Sequence, residues 1–287
     1  MASKSAEKLD GALPYTYQVV EGGVVRAVEG GVIDEQLLSI YVNGESLATM
    51  MCSPLQLEAL TVGFLFNEAV IDSAEEIALL QLNSTKAVAD VILTHDDVKL
   101  PRRMILTTGC GGGLTGQELS KDFPALDSAF QTKPALILRL MRQLQGAARL
   151  YNAVRGVHTA VLGDEGGLLA SAEDVGRHNA IDKVAGQALL ERIDMSDRIL
   201  LTSGRISSEM LGKARRMGIP LVASRTAPTS VTVELAEAWN IGVVGYVRAG
   251  GMRVYTHGWR LGLVERDFSD QGNSPPDKKS AKKSFNC

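Results

Sequence analysis

The strongest constraint on the fold lies between Arg198 and Val247, where short apolar runs alternate with helical segments. The runs at 199–202, 219–223 and 243–247 are too short for helices and rich in Ile, Leu and Val, so they read as buried strands. Helical segments are expected at 207–217 and 229–239. A strand followed by a helix and a second strand builds a parallel pair through a right-handed crossover. This part of the chain is therefore expected to form a parallel α/β sheet. Gly250-Gly251 then turns the chain into a last strand at 253–257.

Parallel sheets bind ligands beyond the carboxyl ends of their strands. Here those ends carry Thr202-Ser203-Gly204-Arg205-Ile206-Ser207-Ser208, then Ser224-Arg225-Thr226-Ala227-Pro228-Thr229-Ser230, then Arg248-Ala249-Gly250-Gly251. Each is a loop of small residues with one arginine, and two of them open a helix whose free N–H groups attract anions. A single arginine near a helix start ordinarily does no more than solvate the surface. Three on one sheet edge point to phosphate or pyrophosphate recognition. No Walker A sequence and no GxGxxG at a strand end occurs, so a nucleotide hydrolase or dinucleotide oxidoreductase lacks support.

Upstream, β-prone stretches at 15–20 and 24–28 flank Gly22-Gly23. Residues 37–42 and 45–51 form a hairpin pattern across Asn43-Gly44, the pair that a type I′ turn favours. Ser53-Pro54-Leu55-Gln56 reads as a capping box for a helix to about Ala69, with Leu57, Leu60, Phe64 and Leu65 on one face. Strands at 76–82 and 88–93 complete a mixed unit in which antiparallel pairing is expected to dominate. Residues 134–152 read as one continuous helix whose core face is Leu136, Ile137, Leu140, Met141, Leu144, Ala147, Ala148 and Tyr151. A hairpin at 157–162 and 168–172 leads through Glu173-Asp174-Val175-Gly176-Arg177-His178-Asn179 into a further helix. The polar cluster there is expected to cap that helix, although Arg177 and His178 would also suit a cationic neighbour for a thiolate. Residues 1–13 are expected to be a loose leader, and the polar tail 266–287 to be disordered.

Thiol chemistry centres on Cys110. A short strand at 104–106 leads into Thr107-Thr108-Gly109-Cys110-Gly111-Gly112-Gly113. Glycines let backbone N–H groups converge, and a thiol among such dipoles is held as the reactive thiolate. The same stretch also fits a tight turn around a small buried cysteine. Cys52 reads as packed and Cys287 as incidental. The three cysteines make no CxxC pair, no disulfide framework and no metal-ligand spacing. The four histidines add no metal site. Aromatics at 5% and a net charge of −3 argue against nucleic acid as a partner. Residues 1–10 lack the apolar core of a secretory signal, and no run is long enough for a membrane span, so a cytoplasmic location is expected.

Taken together, these segments resemble the formate dehydrogenase accessory sulfurtransferases, the FdhD family. The resemblance rests on Thr107-Thr108-Gly109-Cys110-Gly111, Gly156-Val157-His158-Thr159-Ala160 and residues 173–183. It continues through Ser203-Gly204-Arg205-Ile206-Ser207-Ser208-Glu209-Met210, the 224–230 loop and Val254-Tyr255-Thr256-His257-Gly258-Trp259-Arg260, and covers roughly residues 20 to 262 in order. It implies an α/β fold: a cytidine-deaminase-like larger domain over 101–265 beside a smaller α+β subdomain over 14–100. It also implies a sulfur carrier that takes sulfur from a cysteine desulfurase as a persulfide on Cys110. The sulfur would pass to the bis(molybdopterin guanine dinucleotide) form of the molybdenum cofactor for formate dehydrogenase. The family's cofactor-binding stretch falls on Tyr246-Val247-Arg248-Ala249-Gly250-Gly251, with Arg205 and Arg225 as weaker candidates for the same anion. A homodimer is implied as well.

The sequence departs from that pattern at one point. Well-known members place a second cysteine three positions after the first, where this chain has Gly113. One sulfur must then suffice, or the protein escorts the cofactor without covalent chemistry. Deamination is excluded, because His158-Thr159-Ala160 lacks the general-acid Glu and no PCxxC pair exists.

Overall fold

The computed structural model describes residues 9–96, 104–106 and 123–263 of the chain. They form a mixed α/β structure with three sheets. Strands β1 (Ala12–Glu21) and β2 (Val24–Ile33) make a separate antiparallel ribbon. Strands β3 (Gln36–Val42) and β4 (Glu45–Cys52) follow as a hairpin, with Asn43 and Gly44 at φ 49° and 82°, as a type I′ turn demands.

Helix α1 (Leu57–Asn67) comes next, then β5 (Ile77–Leu82), β6 (Val88–Leu93) and β7 (Met104–Leu106). The second sheet has the order β5-β6-β3-β4-β7. Antiparallel pairing predominates across this first part of the chain, in β1–β2, β3–β4 and β5–β6, as expected; β3–β6 and β4–β7 are parallel, because the chain crosses over before each returning strand.

The third sheet carries the edge on which the arginine-bearing loops lie. Helices α2 (Pro134–Ala147) and α3 (Arg149–Val154) precede the hairpin β8 (His158–Asp164) and β9 (Gly167–Asp174). Then come α4 (Arg177–Leu190), β10 (Ile199–Thr202), α5 (Ser208–Arg216), β11 (Leu221–Ser224), α6 (Ser230–Ala238), β12 (Gly242–Arg248) and β13 (Gly251–Thr256). The order is β13-β12-β11-β10-β8-β9, and β10, β11 and β12 are parallel, as the alternating rhythm predicts.

Three local expectations fail for identifiable reasons. Ser53 and Gln56 form no capping box. Ser53 instead joins a buried cross-link, its N–H donating to Asp174 Oδ2 at 3.0 Å and its Oγ accepting from the Val175 N–H at 3.2 Å. Gln56 is the N-cap, in the left-handed region at φ 50°. Nor does α1 show one apolar face, since every residue of it except Glu58 is buried. The helix expected over 134–152 breaks at Ala148, where ψ is 65°. The Glu173 carboxylate accepts from the Leu150 and Tyr151 N–H groups at 2.8 and 2.9 Å, which satisfies the first turn of a new helix and stabilises the break.

Two buried lysines are paired with carboxylates. Lys183 Nζ lies 2.6 Å from Asp174 Oδ2 with both side chains fully buried, and donates to the Ser53 and Glu173 carbonyls. Asn179 Nδ2 donates to the Met51 carbonyl at 2.8 Å, so the end of β4 is fastened to the start of α4. A second cluster joins Lys213 to both Asp182 oxygens at 2.7 and 2.6 Å, with Asn67 donating to Asp182 Oδ1 at 2.7 Å.

Glu68 sits at the edge of this second cluster, 3.8 Å from Lys213 Nζ, its Oε1 without a hydrogen-bond donor among the described residues. Lys213 is already committed to Asp182, so burial outweighs its attraction and pushes the Glu68 carboxyl up to about 7, with Asp182 and Glu209 adding repulsion. A carboxyl with a raised native pKa holds its proton more tightly when folded, so its contribution is complete below about pH 4.5 and is lost as pH rises to about 7. Glu68→Gln is expected to remove this loss. Thermal unfolding from pH 5 to 8 checks it, and equal pH slopes for wild type and variant would refute it.

Candidate functional site

The carboxyl ends of β10, β11 and β12 face α2 and α3 across a two-lobed cleft. One lobe, of about 360 Å3, is walled by Leu138, Met141, Val247 and Ala249, with Arg142, Gln145, Arg225 and Arg248 as its polar groups. The other, of about 460 Å3, is more polar and includes Tyr151, Asn152, Arg155, His158, Ser203 and Thr226. Gln145, Arg225 and Arg248 line both. Four arginines thus converge on the cleft, and no described residue lining it is an Asp or Glu. Uncompensated guanidinium groups in a concave, partly dry site favour a multiply charged anion, and arginine suits the forked geometry of phosphate.

Small residues at the strand ends make this edge possible. Ser224 Oγ donates to the Gly204 carbonyl at 2.6 Å and accepts from the Thr226 N–H at 3.0 Å. Thr202 Oγ1 accepts from the Gly204 N–H at 3.1 Å, and Ser203 Oγ from the Thr159 N–H at 2.9 Å. Neighbouring loops are therefore stitched to each other, which holds Arg225 and Arg248 on one rim. At Gly245 a Cβ would sit 2.8 Å from the Thr226 carbonyl oxygen, so only glycine permits the β11 and β12 loops to approach this closely. The register slips between Gly245 and Arg248, with Tyr246 at φ 52°, and this bulge re-aims the following residues toward the cleft.

The expected binding stretch is thus divided. Val247, Arg248 and Ala249 line the cleft. Tyr246 does not; its ring packs beneath the Arg253 guanidinium, 4.1 Å from the ring centre. Gly250 is exposed, and Gly251, half-buried at the start of β13, completes the turn beside the rim. Arg225 takes part fully, whereas Arg205 is exposed and absent from the lining. Sequence reasoning missed the opposite wall: Arg142, Gln145, Tyr151, Asn152 and Arg155. Helical spacing assigns Tyr151 to the core face of 134–152, whereas it lines the cleft; Arg142, Gln145 and Asn152 are polar residues interleaved with that face, and Arg155 lies beyond it.

Cys110 lies outside the described residues. Strand β7, which precedes it, ends with Leu106 opposite Met50 on β4. That is the sheet end where Met51 and Ser53 are fastened to Asn179 and Asp174. At the start of α4, His178 Nε2 lies 3.0 Å from Glu209 Oε2. Burial, with Lys213 and Arg177 nearby, pushes the imidazole down to about 3, so it is neutral and donates its Nε2–H to Glu209. His178 therefore supplies no positive charge for a thiolate, contrary to one of the two roles its sequence position allowed. Asp174 does serve the start of α4, accepting from the Gly176 N–H at 2.7 Å and from Asn179 Nδ2 at 2.9 Å. Cys52 is fully buried, and burial with Asp174 nearby pushes its thiol up to about 12. It is packed, as expected. Among the described residues no cluster of three His, Cys, Asp or Glu could hold a metal ion.

The fold and cleft define an α/β protein with an arginine-lined cleft at the carboxyl edge of a parallel sheet. Residues 33–262 match the family model of the FdhD/NarQ family. The sulfur carrier protein FdhD of Bacillus subtilis (strain 168) is 35% identical over 246 residues, spanning 84% of this chain and 94% of its own. That of Staphylococcus haemolyticus (strain JCSC1435) is 34% identical over 257 residues, 85% and 94% respectively. A crystal structure from Desulfotalea psychrophila, described as a formate dehydrogenase accessory protein, is 28% identical with a TM-score of 0.72. The match covers 87% of this chain and 99% of that one. The chain belongs to the FdhD/NarQ family.

Proposed function

We propose that this protein is a sulfur carrier serving formate dehydrogenase, with Cys110 as the carrying residue. The Cys110 thiolate attacks the terminal sulfur of a cysteine desulfurase persulfide. A new S–S bond forms on Cys110 as the donor's S–S bond breaks, and the desulfurase cysteine leaves as its thiolate, with no net redox change. The terminal sulfur is then passed to the molybdenum cofactor, a substrate here, and Cys110 returns to the thiolate. Because persulfide sulfur is at the oxidation level of elemental sulfur, formation of a sulfide ligand takes two electrons from the acceptor or an added thiol.

The observation that carries this reading is a cleft lined by four arginines and, among the described residues, no carboxylate, in a chain whose relatives are named sulfur carriers. Its size and charge suit the guanine dinucleotide end of the cofactor, with Arg225 and Arg248 on the pyrophosphate. The cytidine-deaminase-like character of the larger part over 101–265, its division from 14–100, a homodimer and a cytoplasmic location belong to the same proposal. No helix among the described residues is long and apolar enough to cross a membrane.

Arg248→Ala and Arg225→Ala are each expected to weaken binding of a guanine nucleoside diphosphate by roughly tenfold or more, since a charge-assisted hydrogen bond contributes about 1.5–3 kcal/mol. Raising the salt concentration should weaken wild-type binding and narrow the difference. Isothermal titration calorimetry reads both effects; unchanged affinity in both variants would remove the cleft from the proposal.

A further inference from the structure

Arg155 is the residue at the cleft whose backbone has the least reason to be arginine. It has φ 63° and ψ −161°, a region that essentially only glycine occupies without strain. The strain arises because the chain must leave the last turn of α3, where the Arg155 N–H donates to the Tyr151 carbonyl at 3.0 Å, and enter β8 within three residues. A neighbouring glycine, Gly156 at φ 72°, shares the turn. Among the described residues no carboxylate is paired with Arg155; instead its guanidinium stacks on the Tyr151 ring, 4.8 Å from the centre, at the rim of the polar lobe. Stacking fixes the plane of the fork and leaves its in-plane N–H donors free for an anion.

The same lobe is lined by Arg225 and Arg248 from the sheet. We propose that α3 is the second jaw of the nucleotide site, and that Arg155 grips the outer phosphate of a diphosphate whose other face lies on Arg225 and Arg248. This rests on the guanine-nucleotide reading given above and adds to it the residue that distinguishes a diphosphate from a monophosphate. The less polar lobe takes the base, so the nucleotide lies lengthwise, with Arg225 and Arg248 shared between the lobes and the outer phosphate in the lobe that Arg155 lines. A monophosphate would leave Arg155 without a partner.

The test compares GMP and GDP binding to the full-length wild type, Arg155→Gly and Arg155→Lys, alongside thermal unfolding of the nucleotide-free proteins. Wild type is expected to prefer GDP. Arg155→Gly should lose roughly ten- to a hundredfold in GDP affinity, the range for a lost charge-assisted contact, while GMP affinity changes little. Its unfolding midpoint should be equal or higher, because glycine relieves the strained backbone. Arg155→Lys, keeping the charge but not the fork, should fall between the two. Equal losses for GMP and GDP in Arg155→Gly, or a lowered midpoint, would assign Arg155 a structural role and overturn the proposal. If wild type binds neither nucleotide, the guanine reading itself fails, and that outcome is separate from the first.

Discussion

Cys110→Ala protein is expected to gain no mass on incubation with a cysteine desulfurase and cysteine, under conditions in which wild type gains one sulfur atom that a thiol reductant removes. In a deletion strain the variant should leave formate dehydrogenase activity at background. The physical basis is that a thiolate, not a thiol, is the nucleophile, and the alternatives are poor. Cys52 is fully buried and its thiol is pushed up to about 12, so almost none of it ionises at neutral pH. With Gly113 where a second cysteine would stand, no near neighbour rescues the function or converts the persulfide to a disulfide. Cys52→Ala is the control, and it should load sulfur as wild type does. Loading of Cys110→Ala equal to wild type would sink the persulfide mechanism. Activity restored by Cys110→Ala without loading would leave the escort role, in which the arginine cleft alone matters.

Gly63→Ala and Gly186→Ala are expected to be the most damaging single-atom changes to the fold. Helices α1 and α4 cross backbone to backbone at these two residues. A Cβ on Gly63 would lie 1.8 Å from the Asp182 carbonyl oxygen, and one on Gly186 the same distance from the Ala59 carbonyl oxygen. Neither clash involves a flexible side chain, so the helices must separate. Their separation would open the core they share with both large sheets, including Leu60, Phe64, Ile181 and Val184. Each substitution should cost about 4 kcal/mol or more, in the range reserved for severe overpacking. Gly146→Ala is the matched control. It sits in α2 with open space around it, and alanine there should be neutral or stabilising by up to about 1 kcal/mol. Thermal unfolding of the three variants gives the comparison, and a Gly63→Ala midpoint near that of Gly146→Ala would show that the helices are not held at backbone contact.

The elements that local chemistry controls were legible in the sequence. Asn43-Gly44 dictated its hairpin because few other pairs tolerate two positive φ angles, and the strand–helix rhythm after Arg198 dictated three parallel strands. From that rhythm alone, the strand-end rule placed Arg225 and Arg248 on one edge, where the structure has them. What the sequence could not supply were contacts between residues far apart along the chain. Ser53 reads locally as a helix cap, yet Asp174, more than a hundred residues away, claims it. Ala148 sits inside an unbroken apolar stripe, and only the Glu173 carboxylate makes a break there favourable.

The site divides in the same way. Its sheet wall follows from loop composition, whereas its helical wall, Arg142, Gln145 and Arg155, is set by how α2 and α3 lie over the strand ends. The sequence by itself determined the strand and helix rhythm, the small-residue loops and the lone thiol among glycines, because each depends on intrinsic backbone preferences and short-range spacing. Only the tertiary structure decided which arginines share a cavity, which glycines sit at a helix crossing and which carboxyl group burial pushes up. Those properties depend on distance and burial, and neither is encoded in any short stretch of chain.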